Sequence, residues 1–81
     1  MKVRIELFAA FREAAGYAHV TLEFEQAPDI ATLKCRLGSM WPDLAELLSK
    51  SRIAVNNQFQ DDHHVIESGH EIALIPPVSG G

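Results

Sequence analysis

Gly80 and Gly81 stand last in the sequence, behind Pro76-Pro77 and Val78-Ser79, and they are the residues whose type and place most directly suggest chemistry. A glycine carboxylate at a chain end has no Cβ to crowd its carbonyl carbon. Once activated by an enzyme, it would be open to nucleophilic attack. Two glycines also reach backbone angles closed to other residues, which suits passage through a narrow channel. Pro76 and Pro77 hold φ at about −65° and favour an extended spacer. At about 3.3 Å per residue, the stretch from Val78 to Gly81 reaches roughly 13 Å, enough to enter a partner's pocket while a folded body stays outside. The expected organisation is a folded domain over residues 1–77 and a reactive tail over 78–81.

Other candidates for chemistry are sparse. Cys35 is the only cysteine, which excludes an internal disulfide and a Cys-rich metal site; on a helix it reads as a small surface or core-edge residue. Adjacent His63 and His64 lie in a polar run and read as solvated side chains rather than ligands, and His19 and His70 have no visible partner. No metal site and no intrinsically bound cofactor is expected. The chain shows neither a nucleophile–base pair nor a phosphate loop, so any catalytic pocket must be borrowed from a partner.

The elements that would position the tail follow from patterning. Val3, Ile5 and Leu7 alternate with Lys2, Arg4 and Glu6, the period-two signature of a half-buried strand. A short helix-prone segment, Ala9 to Ala15, stops at Gly16, and Val20, Leu22 and Phe24 alternate again. Asp29 is placed as the N-cap of a helix on which Ile30, Leu33, Leu37 and Met40 or Trp41 recur, with Gly38 expected to end or weaken it. After Trp41-Pro42, Asp43-x-x-Glu46 resembles a capping box opening a second, shorter helix. Ile53 to Asn56 reads as a brief strand, Asn57 as the start of a polar turn, Phe59 as isolated, and Val65-Ile66 as a further short strand or turn. Glu71 to Ile75 is apolar on both faces, as a central strand is, and is expected beside the first strand. The order predicts an α+β domain with the long helix across one face of a mixed sheet.

Size and charge bound the rest. With 81 residues, 47% of them hydrophobic, the chain has material for one domain with one modest core. A net charge of −4 argues against nucleic-acid binding, for want of a basic stripe to neutralise phosphates, and suits a basic partner. There is neither a long apolar run nor a signal-peptide pattern, so no membrane association and a cytoplasmic location are expected.

Val3-Arg4-Ile5-Glu6-Leu7-Phe8-Ala9 with Arg12-Glu13 and Gly16, the central Ala54-Val55-Asn56, and the ending Gly69-His70-Glu71-Ile72-Ala73-Leu74-Ile75-Pro76-Pro77-Val78-Ser79-Gly80-Gly81 together resemble the MoaD/ThiS group of ubiquitin-like sulfur carriers. Within that group the chain is similar to the small subunits of molybdopterin synthase. The family usually has Asp where this chain has His70, a turn position at which the change is expected to be tolerated. The resemblance implies a β-grasp fold and a mechanism. An E1-like, MoeB-like activating enzyme uses ATP to adenylate the Gly81 carboxylate. Sulfur replaces AMP to give a thiocarboxylate. In the site shared with a MoaE-like large subunit, that thiocarboxylate donates sulfur to cyclic pyranopterin monophosphate, and two transfers make the dithiolene of molybdopterin. Gly81 is then the carrier, Gly80 clears its path, and Pro76, Pro77, Val78 and Ser79 contact the partner.

By strand parity, Phe8 and Ile75 point away from the helix-covered face, and with Phe59 they would form an apolar docking patch at the foot of the tail; the family places apolar residues at matching positions. The competing reading is that the Ala9–Ala15 segment, or the tail itself, covers Phe8 and Ile75. Two other functions share the diglycine: a thiamin-thiazole sulfur carrier, against which the helix at Asp43 to Lys50 and the Pro-Pro-Val-Ser ending weigh, and a ubiquitin-like modifier joined to lysines through Gly81. A binding module with an inert tail is the third alternative.

Overall fold

The computed structural model describes residues 1–77; Val78, Ser79, Gly80 and Gly81 lie outside the described residues. Strands β1 (Lys2–Leu7), β2 (His19–Glu23), β3 (Arg52–Val55), β4 (Gln58–Gln60) and β5 (Ile72–Ile75) form one sheet in the order β2-β1-β5-β3-β4. Helices α1 (Ala9–Ala15), α2 (Ile30–Met40) and α3 (Ala45–Ser49) complete the fold, with a 3-10 turn at Pro42–Leu44. As the apolar run at Ile72–Ile75 requires, the last strand is central. It runs parallel to β1, with Ile5 opposite Ile72 and Leu7 opposite Leu74, and antiparallel to β3, with Ile53 opposite Leu74 and Val55 opposite Ile72. A mixed sheet holding one long helix is the β-grasp arrangement expected above.

The core lies between the sheet's inner face and α2. Val3, Ile5, Leu7, Leu22, Ile53, Val55, Ile72 and Leu74 come from the strands, and Ile30, Leu33 and Leu37, at helical spacing, come from α2. Burying each such side chain contributes about 1.5–3 kcal/mol. Phe11 of α1 is fully buried, and the half-buried Trp41 ring meets it at 6.1 Å between centroids, closing one end of the core.

The start of α2 is capped twice over. Asp29 Oδ1 accepts from the Thr32 N–H at 2.8 Å. The Ile30 and Ala31 N–H groups, which have no partner inside the helix, donate to the carbonyls of His64 and Asp62 at 3.0 and 3.1 Å. The polar run before Ile66 is thus more than a solvated loop: it satisfies the helix, while buried Ile66 anchors it through an N–H donated to the Pro28 carbonyl.

Three local expectations are corrected. Gly38 does not end α2, which runs on to Met40; a Cβ there would meet Leu48 Cδ2 at an ordinary 3.5 Å. Asp43 and Glu46 do not form a capping box. Pro42 initiates a 3-10 turn that holds Asp43 inside it, so the residue before α3 is Leu44, without a side-chain cap, and Glu46 pairs with Lys50 instead. The extra short strand is Gln58–Gln60 rather than Val65-Ile66, of which Val65 makes only a single bridge, to Asp29. The cause is Asn56-Asn57: both residues take left-handed angles, φ 51° and 69°, making the tight two-residue turn that returns the chain alongside β3.

His70 shows why its turn accepts it. Its Nδ1 accepts the Glu67 N–H at 3.1 Å while the His70 N–H donates to the Glu67 carbonyl at 3.3 Å, with Gly69 at φ 86° between them. A carboxylate at this position would offer the same kind of acceptor.

Candidate functional site

The expected docking residues fall on the sheet face opposite the core. Registers Glu6↔Ala73, Ala73↔Ala54 and Ala54↔Phe59 align one row across β1, β5, β3 and β4, and Ile75↔Arg52 begins the next. Phe8 follows Leu7 in extended conformation, φ −136° and ψ 154°, so it continues β1 and by parity joins this outer face beside Ile75. Phe8 is 45% exposed and Phe59 is 48% exposed, while Ile75 is half-buried. Helix α1 therefore leaves Phe8 open, contrary to the reading in which that segment covers it.

Ala54 and Ala73 lie on the floor of a groove of ≈ 500 Å³, which is also lined by Phe8, Arg4 and Glu6 toward β1 and by Asn57 at the hairpin. Small residues here have a physical use, since a bulky side chain at either alanine would fill the groove. The groove was not anticipated, because it depends on which two strands lie side by side.

The described residues end beside this face. Half-buried Pro76 and exposed Pro77 follow directly on Ile75 at the end of the central strand. Gly80 and Gly81, with Val78 and Ser79, are beyond the described residues.

Asn56 ties the hairpin to the strand that carries the tail. Its N–H donates to the Glu71 carbonyl and its Oδ1 accepts the Glu71 N–H, both at 2.8 Å. The hairpin bearing Ala54 and Phe59 is thereby registered against the start of β5.

Charge divides the outer face. On the β1–β2 side, Arg4 Nε donates to Glu6 Oε1 at 3.1 Å, and Arg4 Nη2 lies 3.4 Å from His19 Nδ1. On the β3–β4 side, the Arg52 guanidinium lies over the Phe59 ring, 3.9 Å from its centroid. The alternation Arg52-Ile53-Ala54-Val55 marks Arg52 as outward-facing; its stacking partner follows only from the strand register. Away from this face, Asp29 is held below its ordinary pKa of 3.8, chiefly by hydrogen bonding from the Thr32 side chain and then its backbone, with the nearby positive charge of His63 a lesser cause.

Among the described residues, no group of three or more His, Cys, Asp or Glu side chains is placed to hold a metal ion. The His64 and His70 rings lie 6.4 Å apart between centroids, and His70 Nδ1 is already engaged by Glu67. Nor, among the described residues, is any helix long and apolar enough to cross a membrane.

Comparison with known proteins adds the context. Residues 5–81 match the ThiS family. The molybdopterin synthase sulfur carrier subunit of Arabidopsis thaliana is 32% identical over 83 residues, an alignment covering 100% of this chain and 84% of that protein. A chain of the complex of subunits 1 and 2 of molybdopterin-converting factor from Helicobacter pylori 26695 superposes with a TM-score of 0.68 at 27% identity, with 100% of both chains covered. Small archaeal modifier protein 1 of H. volcanii shares the fold, with a TM-score of 0.77 at 24% identity over 95% of this chain and 98% of that one.

Proposed function

Because this chain belongs to the ThiS family, we propose that it is the sulfur-carrier small subunit of a molybdopterin synthase, with Gly81 as the group that carries the sulfur. The observation that carries this reading is similarity over the whole of this chain to a molybdopterin synthase sulfur carrier subunit, at 32% identity, with the sequence Pro-Pro-Val-Ser-Gly-Gly at residues 76–81. Similarity to a subunit that forms a complex with a second subunit supports a large-subunit partner.

On this reading the Gly81 carboxylate attacks the α-phosphate of ATP on an E1-like enzyme, releasing pyrophosphate and leaving an acyl-adenylate. A sulfur nucleophile then displaces AMP and yields the thiocarboxylate. In the large subunit, the thiocarboxylate sulfur forms a C–S bond at an oxygen-bearing carbon of cyclic pyranopterin monophosphate as that oxygen leaves, and water then cleaves the acyl–sulfur bond, leaving the sulfur on the pterin and returning the acyl group to the carboxylate. The folded domain presents the tail and docks through Phe8, Phe59 and Ile75, with Pro76 and Pro77 aiming the exit. Chemistry that excludes water and stabilises charge belongs to the partners' pockets, and the compartment expected is the cytoplasm.

The test is intact-protein mass spectrometry after incubation with the activating enzyme, ATP and a sulfur donor, followed by mixing with the large subunit and precursor. The expected results are a gain of about 16 Da, oxygen replaced by sulfur at an activated acyl carbon, and formation of the dithiolene. Failure of authentic thiocarboxylated protein to convert the precursor would overturn the assignment. Conversion of a thiazole precursor instead, or a ladder of protein conjugates lost on deleting Gly81, would assign the carrier to thiamin synthesis or to protein modification.

A further inference from the structure

We propose that Arg52 receives an acidic side chain of the large subunit and so fixes the orientation in which the domain docks. The proposal rests on the sulfur-carrier reading. The outward-facing residues of β3, β4 and β5 are Arg52, Ala54, Phe59, Ala73 and Ile75, an apolar surface with one charge. That charge is held in place: the guanidinium carbon lies over the Phe59 ring, 3.9 Å from its centroid. Such a stack restrains a side chain that would otherwise lose considerable rotamer freedom on binding.

Among the described residues, the ion pairs are Arg4–Glu6, Lys34–Asp62 and Lys50–Glu46, and Arg52 has no carboxylate within reach. The contrast with Arg4, on the same face and already engaged by Glu6, is informative. A partner that covers Phe8, Phe59 and Ile75 also strips water from Arg52, which stands opposite Ile75 in the register. Burying an uncompensated guanidinium is costly, whereas a carboxylate meeting its planar fork with two parallel hydrogen bonds offsets that cost and imposes a direction. The surface opposing β3–β5 is therefore apolar with one carboxylate. This local preference runs against the global one, since a chain of net charge −4 attracts a basic partner at long range. Long-range attraction brings the proteins together, and the contact at Arg52 selects the register.

The experiment measures the dissociation constant of the full-length chain for the large subunit by calorimetry, at low and high salt. Arg52→Met keeps an apolar stem over Phe59 and removes the charge, and its melting curve verifies the fold. At low salt it is expected to bind roughly 10- to 100-fold more weakly than the wild type. The difference should shrink at high salt, as screening weakens the pair. Arg52→Lys should recover only part of the loss, because an ammonium cannot reproduce the fork, and Arg52→Glu should bind more weakly than Arg52→Met. Binding of Arg52→Met within about 2-fold of the wild type, or of Arg52→Glu as tightly as Arg52→Met, overturns the proposal while leaving the sulfur-carrier reading intact. A wild-type chain that does not bind the large subunit overturns both.

Discussion

Truncating Phe8 and Phe59 to alanine, singly and together, should weaken association with the large subunit by amounts that can be worked out from the fold. The two residues are 45% and 48% exposed, so about half of each remains to be buried by a partner. Full burial of a phenylalanine contributes about 1.5–3 kcal/mol, and half of that is about 0.7–1.5 kcal/mol per ring. At 1.4 kcal/mol per tenfold, each single variant should bind about 3- to 12-fold more weakly. Phe8 continues β1 and Phe59 lies on β4, with β5 and β3 between them, and three strand spacings of about 4.8 Å separate them by roughly 14 Å. At that distance the two losses should add, so the double variant should bind about 10- to 150-fold more weakly. Isothermal titration calorimetry, well below the melting temperature of each variant, gives the required constants. Single variants that bind like the wild type would refute the assignment of this face to docking. A double variant no weaker than the worse single one would refute the picture of two independent flanks.

Three other outcomes follow from local geometry. Asn56→Ala loses the hydrogen bond to the Glu71 N–H and places a Cβ-restricted residue at φ 51°; equilibrium urea unfolding should show a loss of about 2–3 kcal/mol, against about 1 kcal/mol for Asn56→Gly, which escapes the backbone strain. Equal losses for the two would show that strain is not the cause. Gly38→Ala, in a helix interior with ordinary 3.5 Å space beside Leu48 Cδ2, should stabilise the fold by about 0.5–1 kcal/mol and raise the melting temperature by a few degrees, and a lowered melting temperature would contradict that geometry. Asp29, whose pKa is depressed below 3.8, stabilises the folded state fully above that value and progressively less as pH falls through the lowered one. A melting series in acid should therefore show a steeper decline for the wild type than for Asp29→Asn, which does not titrate.

Much of this architecture is legible in the residues because one physical signal dominates each element. Alternation places β1, the unbroken apolar run places β5 at the centre, and Asp29 before Ile30, Leu33 and Leu37 places α2. Signals that compete locally were harder to weigh. Trp41-Pro42 outranks Asp43 in starting the following turn, and a helix held by Leu33 and Leu37 runs through Gly38 despite its poor propensity. The hairpin is legible in principle, since asparagine is the non-glycine residue that best tolerates left-handed angles, yet with Asn56 read as the end of a strand and Asn57 as the start of a polar turn, Phe59 stands isolated. Features that depend on register lie beyond a one-dimensional pattern. The stack of Arg52 on Phe59 and the groove over Ala54 and Ala73 exist because β3 lies between β4 and β5.

The central place of β5 also has a mechanical consequence. A tail drawn into a partner's channel transmits tension through Pro77 to Ile75, and from there along the axis of a strand flanked on both sides. Hydrogen bonds to β1 and β3 are then loaded together in shear, because both neighbours lie alongside the line of pull. An edge strand such as β4 would instead be open to peeling, its bonds failing in succession. On the proposed function, in which the last residues are gripped by one enzyme and released to another, the domain is thus anchored at the position in the sheet that best resists being unravelled by the handling.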